Sequence, residues 1–396
     1  MSRAPSRRFA VSLASIALIG PLAVHAFFPV IPAIKADLAL SDAVAQLIFS
    51  IALFAMAFST LVYGSLSDRY GRRPILLSGL TLFALGSLTC LFTESVAWLL
   101  VGRIFQAIGA GCGMTLVRAI ARDVYGPDEL VKVLAYLTMF YTLGPMAAPV
   151  LGGFLVDQFG WRSVFALSLA GGALIGAAAF FFVYETRFQA ARMATAGPGI
   201  LEGYKLLFSS ARFIAFVCQT GFSTAMFLVT AAAASFIMTD MLHRSAAEYG
   251  IWFLLFPLGF LGGNLISSRL GRGASIEAMV LFGSVLSFIS GAIMCGLLAA
   301  GVITPLAIFV PGFFITFAQG LALPFGQAGA MAVEPGLAGT ASGIGVFMQN
   351  FLGASSTQVF GLLADGTVWP LIFTCSGAAI IMLCFGLVPW WVRYVK

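Results

Sequence analysis

Charge is what this chain has least of: aspartate, glutamate, lysine and arginine together make up 9% of its 396 residues. That is too little to cover the surface of a water-soluble protein, so lipid must solvate most of the exterior. Only four lysines occur (Lys35, Lys132, Lys205 and Lys396), and none follows a glycine. A Gly-Lys-Ser/Thr phosphate loop is therefore missing, and with it an ATP motor. The two histidines, His25 and His243, are too few and too far apart for a haem-bearing electron carrier or a His-Glu-x-x-His protease. No Gly-x-Ser-x-Gly elbow is present, which argues against a serine hydrolase, and no ring-type selectivity filter is visible. Period-2 alternation is absent too, excluding a barrel. The six cysteines all lie inside apolar runs, none close to another, and read as small buried hydrophobes rather than disulfide or metal partners. The expectation is a chain that is not an enzyme and needs no cofactor or metal. Work on a substrate must come from an ion gradient or from the substrate's own gradient.

What is present is hydrophobicity: 60% of residues, with a mean hydropathy of +1.02. A helix spans a bilayer with about 20 apolar residues. Twelve such runs can be counted, at 9–34, 43–63, 74–92, 96–117, 131–155, 161–184, 211–238, 247–268, 275–300, 304–327, 338–363 and 368–392. An all-α membrane protein of twelve transmembrane helices is expected. The N-terminus also has the arginines, apolar core and Val24-His25-Ala26 end of a signal peptide, but cleavage there would discard the first span.

Basic residues orient the spans. With the N-terminus inside, 17 of the 21 Lys/Arg fall in cytoplasmic segments; Lys35, Arg162 and Arg244 fall outside, and Arg103 lies within a span. The acids divide almost evenly, as the positive-inside rule expects. Both termini are thus expected in the cytoplasm, the chain in the inner membrane. The net charge of +6 reflects this orientation and implies no nucleic-acid partner.

The polar stretch 185–210, with Glu185, Arg187, Arg192 and Gly197-Pro198-Gly199, divides the spans six from six. The expected organisation is a bundle at 1–184, a cytoplasmic linker at 185–210 and a second bundle at 211–396. A short amphipathic stretch near Leu201–Phe208 is expected at the membrane surface. A repeat supports the duplication: Ser67-Asp-Arg69-Tyr-Gly71-Arg72 returns 200 positions later as Ser267-Ser-Arg269-Leu-Gly271-Arg272. Gly109, Gly111 and Gly113, and Gly339 and Gly343, offer small faces for close helix contact.

The loop Gly64-Ser-Leu-Ser-Asp68-Arg69-Tyr-Gly71-Arg72-Arg73 carries a family resemblance, as do Arg103-Ile-Phe-Gln106-Ala-Ile-Gly109 and the set Gly144, Pro145, Pro149, Gly152 and Gly153. On these residues the chain resembles the major facilitator superfamily over essentially its whole length. Within it, the chain is similar to twelve-helix drug:proton antiporters of the bicyclomycin-resistance type. Ala107 and Ala148 stand where the motifs have glycine, and His25 stands where such proteins carry an aspartate. The resemblance implies multidrug efflux by alternating access, driven by protons, from a monomer. It implies a gate built from Asp68, Arg69, Gly71, Arg72 and Asp123, with Asp68 at the start of the eleventh span and Arg72 paired with Asp123. Residues 144–153 would form the antiporter motif.

Physical reasoning adds to this. Asp68 ends a span and can accept from the free N–H groups of a neighbouring helix start. Arg103 lies roughly 13 Å below Glu94, and His25 roughly 15 Å below Lys35, at 1.5 Å per residue. A deep cation needs a cavity or a partner, and histidine changes charge near neutral pH. His25 and Arg103 are therefore the candidate proton-coupling pair, with Glu94, Asp37 and Asp42 as acid alternatives. Gln46, Tyr141, Gln219, Ser223, Gln319, Gln349 and Asn350 are candidates for lining a central cavity or bonding between helices. With no further deep charge in view, neutral or weakly cationic amphipathic compounds are favoured as substrates. Export or symport of a single metabolite is the alternative, and a non-transporting sensor or lipid scramblase is the alternative of another class.

Overall fold

The computed structural model describes residues 6–125, 127–186, 200–270 and 274–394. Arg3, Arg187, Arg192, Gly197, Pro198, Gly199, Gly271, Arg272 and Lys396 lie outside the described residues. Every regular element described is helical. In lipid each backbone N–H and C=O must be satisfied internally, which a helix does within its own segment.

Eleven helical stretches are long and apolar enough to cross a membrane. The remaining expected span, the eleventh in order, forms a helix of 26 residues, α15 (Ala338–Leu363), but Gln349, Asn350, Thr357 and Gln358 make it more polar than the rest. Bulky apolar side chains such as Phe92, Leu174 and Phe181 are about three-quarters exposed. That is stable only against lipid tails.

The described residues pack as two units, Met1–Leu38 with Ile51–Ala196, and Ala39–Ser50 with Gly197–Lys396. In the first unit the opening run is not one helix. It forms α1 (Arg7–Ala17), α2 (Ile19–His25) and α3 (Val30–Asp37), with turns at 26–29. Pro21 and Pro29 have no N–H to give to the preceding turn, so the ladder breaks near Leu18 and again after His25. Then follow α4 (Asp42–Tyr70), α5 (Arg72–Phe92), α6 (Val96–Val124), α7 (Pro127–Phe159) and α8 (Arg162–Phe182). Helices α5 and α6 meet backbone to backbone. A Cβ on Gly86 would lie 2.2 Å from the Gln106 nitrogen, and one on Gly109 would lie 2.3 Å from that of Phe83. Phe9, Leu13, Leu76, Phe83, Leu116 and Ile120 fill the core around this contact.

The second unit comprises α9 (Ile200–Ser209), α10 (Ala211–Phe236), α11 (Ala246–Phe253), α12 (Leu255–Leu270), α13 (Ile276–Ala299), α14 (Pro305–Val333), α15 and α16 (Trp369–Tyr394). The stretch expected to be amphipathic is α9, which buries Leu207 and leaves Leu206 and Phe208 about half exposed. The close glycine contacts here are between α12 and α14, with Gly263 against the Phe317 carbonyl. Gly339 and Gly343 do not supply the expected contact: a Cβ on either meets nothing within 4 Å. The first turns of α4 belong to this unit. Gln358 donates to the Ala43 carbonyl at 3.3 Å and accepts from Ser50 Oγ at 2.5 Å.

One end of the first unit is held by Asp37. Trp161 Nε1 donates to its carboxylate at 2.8 Å and Arg162 at 3.2 Å, while Arg162 also donates to the Thr93 carbonyl at 3.3 Å. The Trp161 bond, with the Arg162 guanidinium behind it, holds the Asp37 carboxyl below its ordinary range. A pKa depressed by folding stabilises the fold above the unfolded value of about 3.9, and that contribution is lost as pH falls through the folded value. Between about pH 5 and pH 3, thermal denaturation of the wild type is thus expected to fall more steeply than that of Asp37→Asn. Parallel pH profiles for the two proteins would remove the assignment.

Candidate functional site

The repeated basic loop folds around a buried cation. Gly71 sits between α4 and α5 with φ at +104°, a conformation that side chains other than glycine's rarely adopt. This sharp turn sends Arg72 inward, where only 1% of it remains exposed. Its guanidinium meets Asp68 at 2.9 Å, Asp123 at 2.9 Å and Ser67 Oγ at 2.6 Å. Asp123, at the end of α6, also accepts from Thr186 Oγ1 at 3.2 Å. Arg69 stays exposed, its guanidinium 5.3 Å from the centre of the Tyr70 ring.

The start of α5 has its acceptor in Glu185, which the sequence marked only as linker. Its carboxylate takes the backbone N–H of Arg72 at 2.9 Å and of Arg73 at 3.1 Å. An anion there caps the first turn of α5 and meets its positive dipole end. Arg73 in turn donates to the Phe180 carbonyl at 2.8 Å. An acid directly after an apolar run was the only signal of this role.

The second unit solves a similar junction with charges reversed. Glu277, 1% exposed in its side chain, opens α13 and is gripped by Arg212 from α10 and Arg393 from α16. Ser275 adds a hydroxyl donor at 3.0 Å. Nothing in the sequence singled out Glu277.

Deeper in the first unit, Arg103 is also 1% exposed. It donates to the Ala23 carbonyl at 3.1 Å and to Gln106 Oε1 at 2.6 Å, and lies 3.9 Å from the centre of the Phe27 ring. Gln106 passes the chain on to Ser87 Oγ at 2.9 Å. A carbonyl, an amide and a π-face thus replace the water that the guanidinium gave up. The contacts with the first span fall two residues before and two after His25. His25 itself is half-buried, its ring edge-on to Phe28 at 6.1 Å.

The Gly/Pro set on α7 packs onto this broken span. A Cβ on Gly144 would lie 2.3 Å from Pro21 Cβ, and one on Gly152 would lie 2.7 Å from the Ala26 carbonyl. Pro145 and Pro149 lie inside α7, and Gly153 is buried.

The polar candidates scatter. Gln219 donates to Ser284 Oγ at 3.0 Å and Gln319 to Thr224 Oγ1 at 3.1 Å, so both bond between helices. Asn350 donates to its own helix, at the Val346 carbonyl. Ser223 is buried, while Tyr141 and Gln349 are half-buried. Gln46 is fully buried against Gly361, and neither of its amide atoms has a hydrogen-bond partner among the described residues.

The sequence model of the Major Facilitator Superfamily matches residues 13–357. The chain belongs to that superfamily. The all-helical architecture of the described residues is consistent with that superfamily's twelve-helix fold. Among its relatives, multidrug resistance protein D of Escherichia coli is 28% identical, with 97% of this chain and 96% of that one covered. The bicyclomycin resistance protein homolog of Haemophilus influenzae is 26% identical, with 94% of each covered. In fold the chain is similar to a D-xylose-proton symporter, at a TM-score of 0.78 and 15% identity, covering 98% of this chain and 97% of that one. A bacterial homolog of the human lysosomal transporter Spinster gives a TM-score of 0.70 at 16% identity, with 96% and 94% covered.

Two stability outcomes follow from the site. Arg72→Met strands Asp123 and Asp68 without their cation and is expected to cost about 3 kcal/mol, with Arg72→Lys losing less. Denaturation of the purified proteins checks this, and equal stability of Arg72→Met and wild type would contradict it. Gln46→Leu removes an unsatisfied buried amide and is expected to raise stability by about 1–2 kcal/mol in the same assay. A lower melting point would mean that the amide has a partner.

Proposed function

We propose that this chain is a secondary active transporter that exports small amphipathic compounds in exchange for protons. It would lie in the inner membrane, with both termini and the loop around Arg72 on the cytoplasmic side. The observation that carries the reading is the arrangement of Arg103, a fully buried cation seated on the break in the first span. The Gly/Pro face of α7 packs against the same break, so the charge and the interrupted backbone of the first span share one place. The drug-resistance names of its relatives support the same reading.

The break gives coupling a physical route. Residues 26–29 lack the regular ladder of a helix, so changes there disturb few backbone bonds. A proton taken up by His25 puts a second positive charge close in sequence to the two atoms groups that hold Arg103, the Ala23 carbonyl and the Phe27 ring. Repulsion between the two cations would favour a conformation in which they separate. Loss of the proton would let the original contacts return, and the two arrangements would alternate with protonation. Asp37, an alternative carrier, is engaged by Trp161 and Arg162 in this structure.

Proteoliposomes carrying a pH gradient test the scheme. His25→Ala is expected to abolish uphill export while leaving downhill substrate exchange in place. His25→Asp is expected to restore part of the coupling with its pH profile moved toward acid, because a carboxylate titrates below imidazole. Arg103→Ala is expected to damage coupling more than Arg103→Lys, which keeps the charge and loses the planar fork. A His25→Ala protein that builds a substrate gradient as well as the wild type would eliminate His25 as the proton carrier.

A further inference from the structure

Arg118 and Arg122 count, by sequence, among the residues that orient the chain. In the structure they lie one turn apart on α6, both exposed. Among the described residues neither has a carboxylate or a hydrogen-bond partner. Two like charges at i and i+4 repel each other, so this pair is a double cation that no described carboxylate engages.

Their direction decides what they can meet. Trp98 and Phe105 are the large exposed apolar side chains of α6 and mark its lipid face. At 100° per residue, Arg118 lies roughly 140–160° around the helix from them, and Arg122 roughly 100–120°. Arg118 is six residues from the end of α6, roughly 9 Å inside it. Its exposed surface therefore opens away from lipid. Across from it on α7, Tyr136, Met139 and Leu143 mark the lipid face. Tyr141 and the exposed Thr138 lie on the opposite side of α7, and both helices pack on the first span, where a Cβ on Gly20 would lie 4.0 Å from the Tyr141 ring and one on Gly113 of α6 3.0 Å from the Ile16 carbonyl.

We propose that Arg118, Arg122 and Tyr141 form a subsite for the anionic group of an amphiphile, a carboxylate, sulfonate or phosphate. Two guanidinium forks and a phenol O–H supply charge-assisted donors suited to such an oxyanion. The substrate range then extends to amphipathic anions, beyond the neutral and weakly cationic compounds that the sequence favoured. Its assignment to substrate, though not its chemistry, rests on the export reading.

Fluorescein and rhodamine 123 share a xanthene frame and carry opposite charge near neutral pH, so they separate charge from shape. Binding of each is measured by fluorescence anisotropy to the full chain in phosphatidylcholine nanodiscs, without any gradient. The wild type is expected to bind fluorescein, and Arg118→Gln or Arg122→Gln to weaken it about tenfold. Rhodamine 123 binding should stay level or improve, which also shows that the variants are folded, and Arg118→Lys should retain part of the fluorescein affinity. Equal fluorescein binding by wild type and both glutamine variants would overturn the proposal, as would no binding to the wild type at millimolar dye. Nanodiscs containing phosphatidylglycerol distinguish the source of the anion. Unchanged fluorescein affinity there assigns the subsite to a soluble amphiphile, whereas displacement assigns it to an anionic lipid headgroup. Gradient-driven export in proteoliposomes is scored separately. Its failure alongside charge-selective binding would refute the export reading and leave the subsite standing.

Discussion

A guanidinium withdrawn from water has to find new acceptors, and at Arg72 that requirement ties together the ends of α4, α6 and α8 and the start of α5. Arg72 can be buried because Asp68 comes from the last turns of α4 and Asp123 from the end of α6. Glu185, just after α8, receives the first N–H groups of α5. The positive φ at Gly71 makes the geometry possible by turning the chain sharply enough for Arg72 to point back into the bundle. In the second unit the same electrostatic rule operates with its signs exchanged. There a buried carboxylate, Glu277, sits at the centre, and arginines from α10 and α16 surround it. Both units tie helix ends together, and the residues that do so differ.

The first span shows a second constraint, set by backbone rather than charge. Proline at positions 21 and 29 interrupts the hydrogen-bond ladder, and the interrupted carbonyls need donors that lipid cannot supply. Arg103 provides one of them at Ala23. Gly144 and Gly152 bring α7 close enough to shield the break, since any side chain there would collide with Pro21 or the Ala26 carbonyl. Cation, break and small-residue helix are thus one assembly. The Arg103–Ala23 hydrogen bond reduces both the cost of burying the arginine and the cost of the interrupted helix.

Much of this was legible in the sequence because its signals are local. Hydropathy marks a span without reference to any neighbour. An arginine inside an apolar run stands out by contrast, and Gly71 between two helices points to a turn. The limits of local reading are equally specific. The opening run reads as one span despite Pro21 and Pro29, because apolar composition does not distinguish a straight span from a broken one. Gln219 and Gln319 stood out as polar residues in apolar runs, but only the packing shows that Ser284 and Thr224 receive their amides. Gly339 and Gly343 look like a packing face and have open space beside them.

By itself the sequence determined the solvent of this protein, its helical class, and the presence of a deep Arg103 and a tight basic turn. Each depends on composition or on residues adjacent along the chain. Only the tertiary structure decided which acids meet which arginines. Glu185 and Glu277 each sit at the edge of an apolar run, where an acid most often faces water. Their partners are far away in sequence, at positions 72–73, 212 and 393. Tertiary structure also decided which side of α6 carries exposed apolar residues, Trp98 and Phe105, and so that Arg118 lies opposite them. A helix's own sequence gives the spacing of its side chains, but its rotation about its axis is fixed by the helices packed against it.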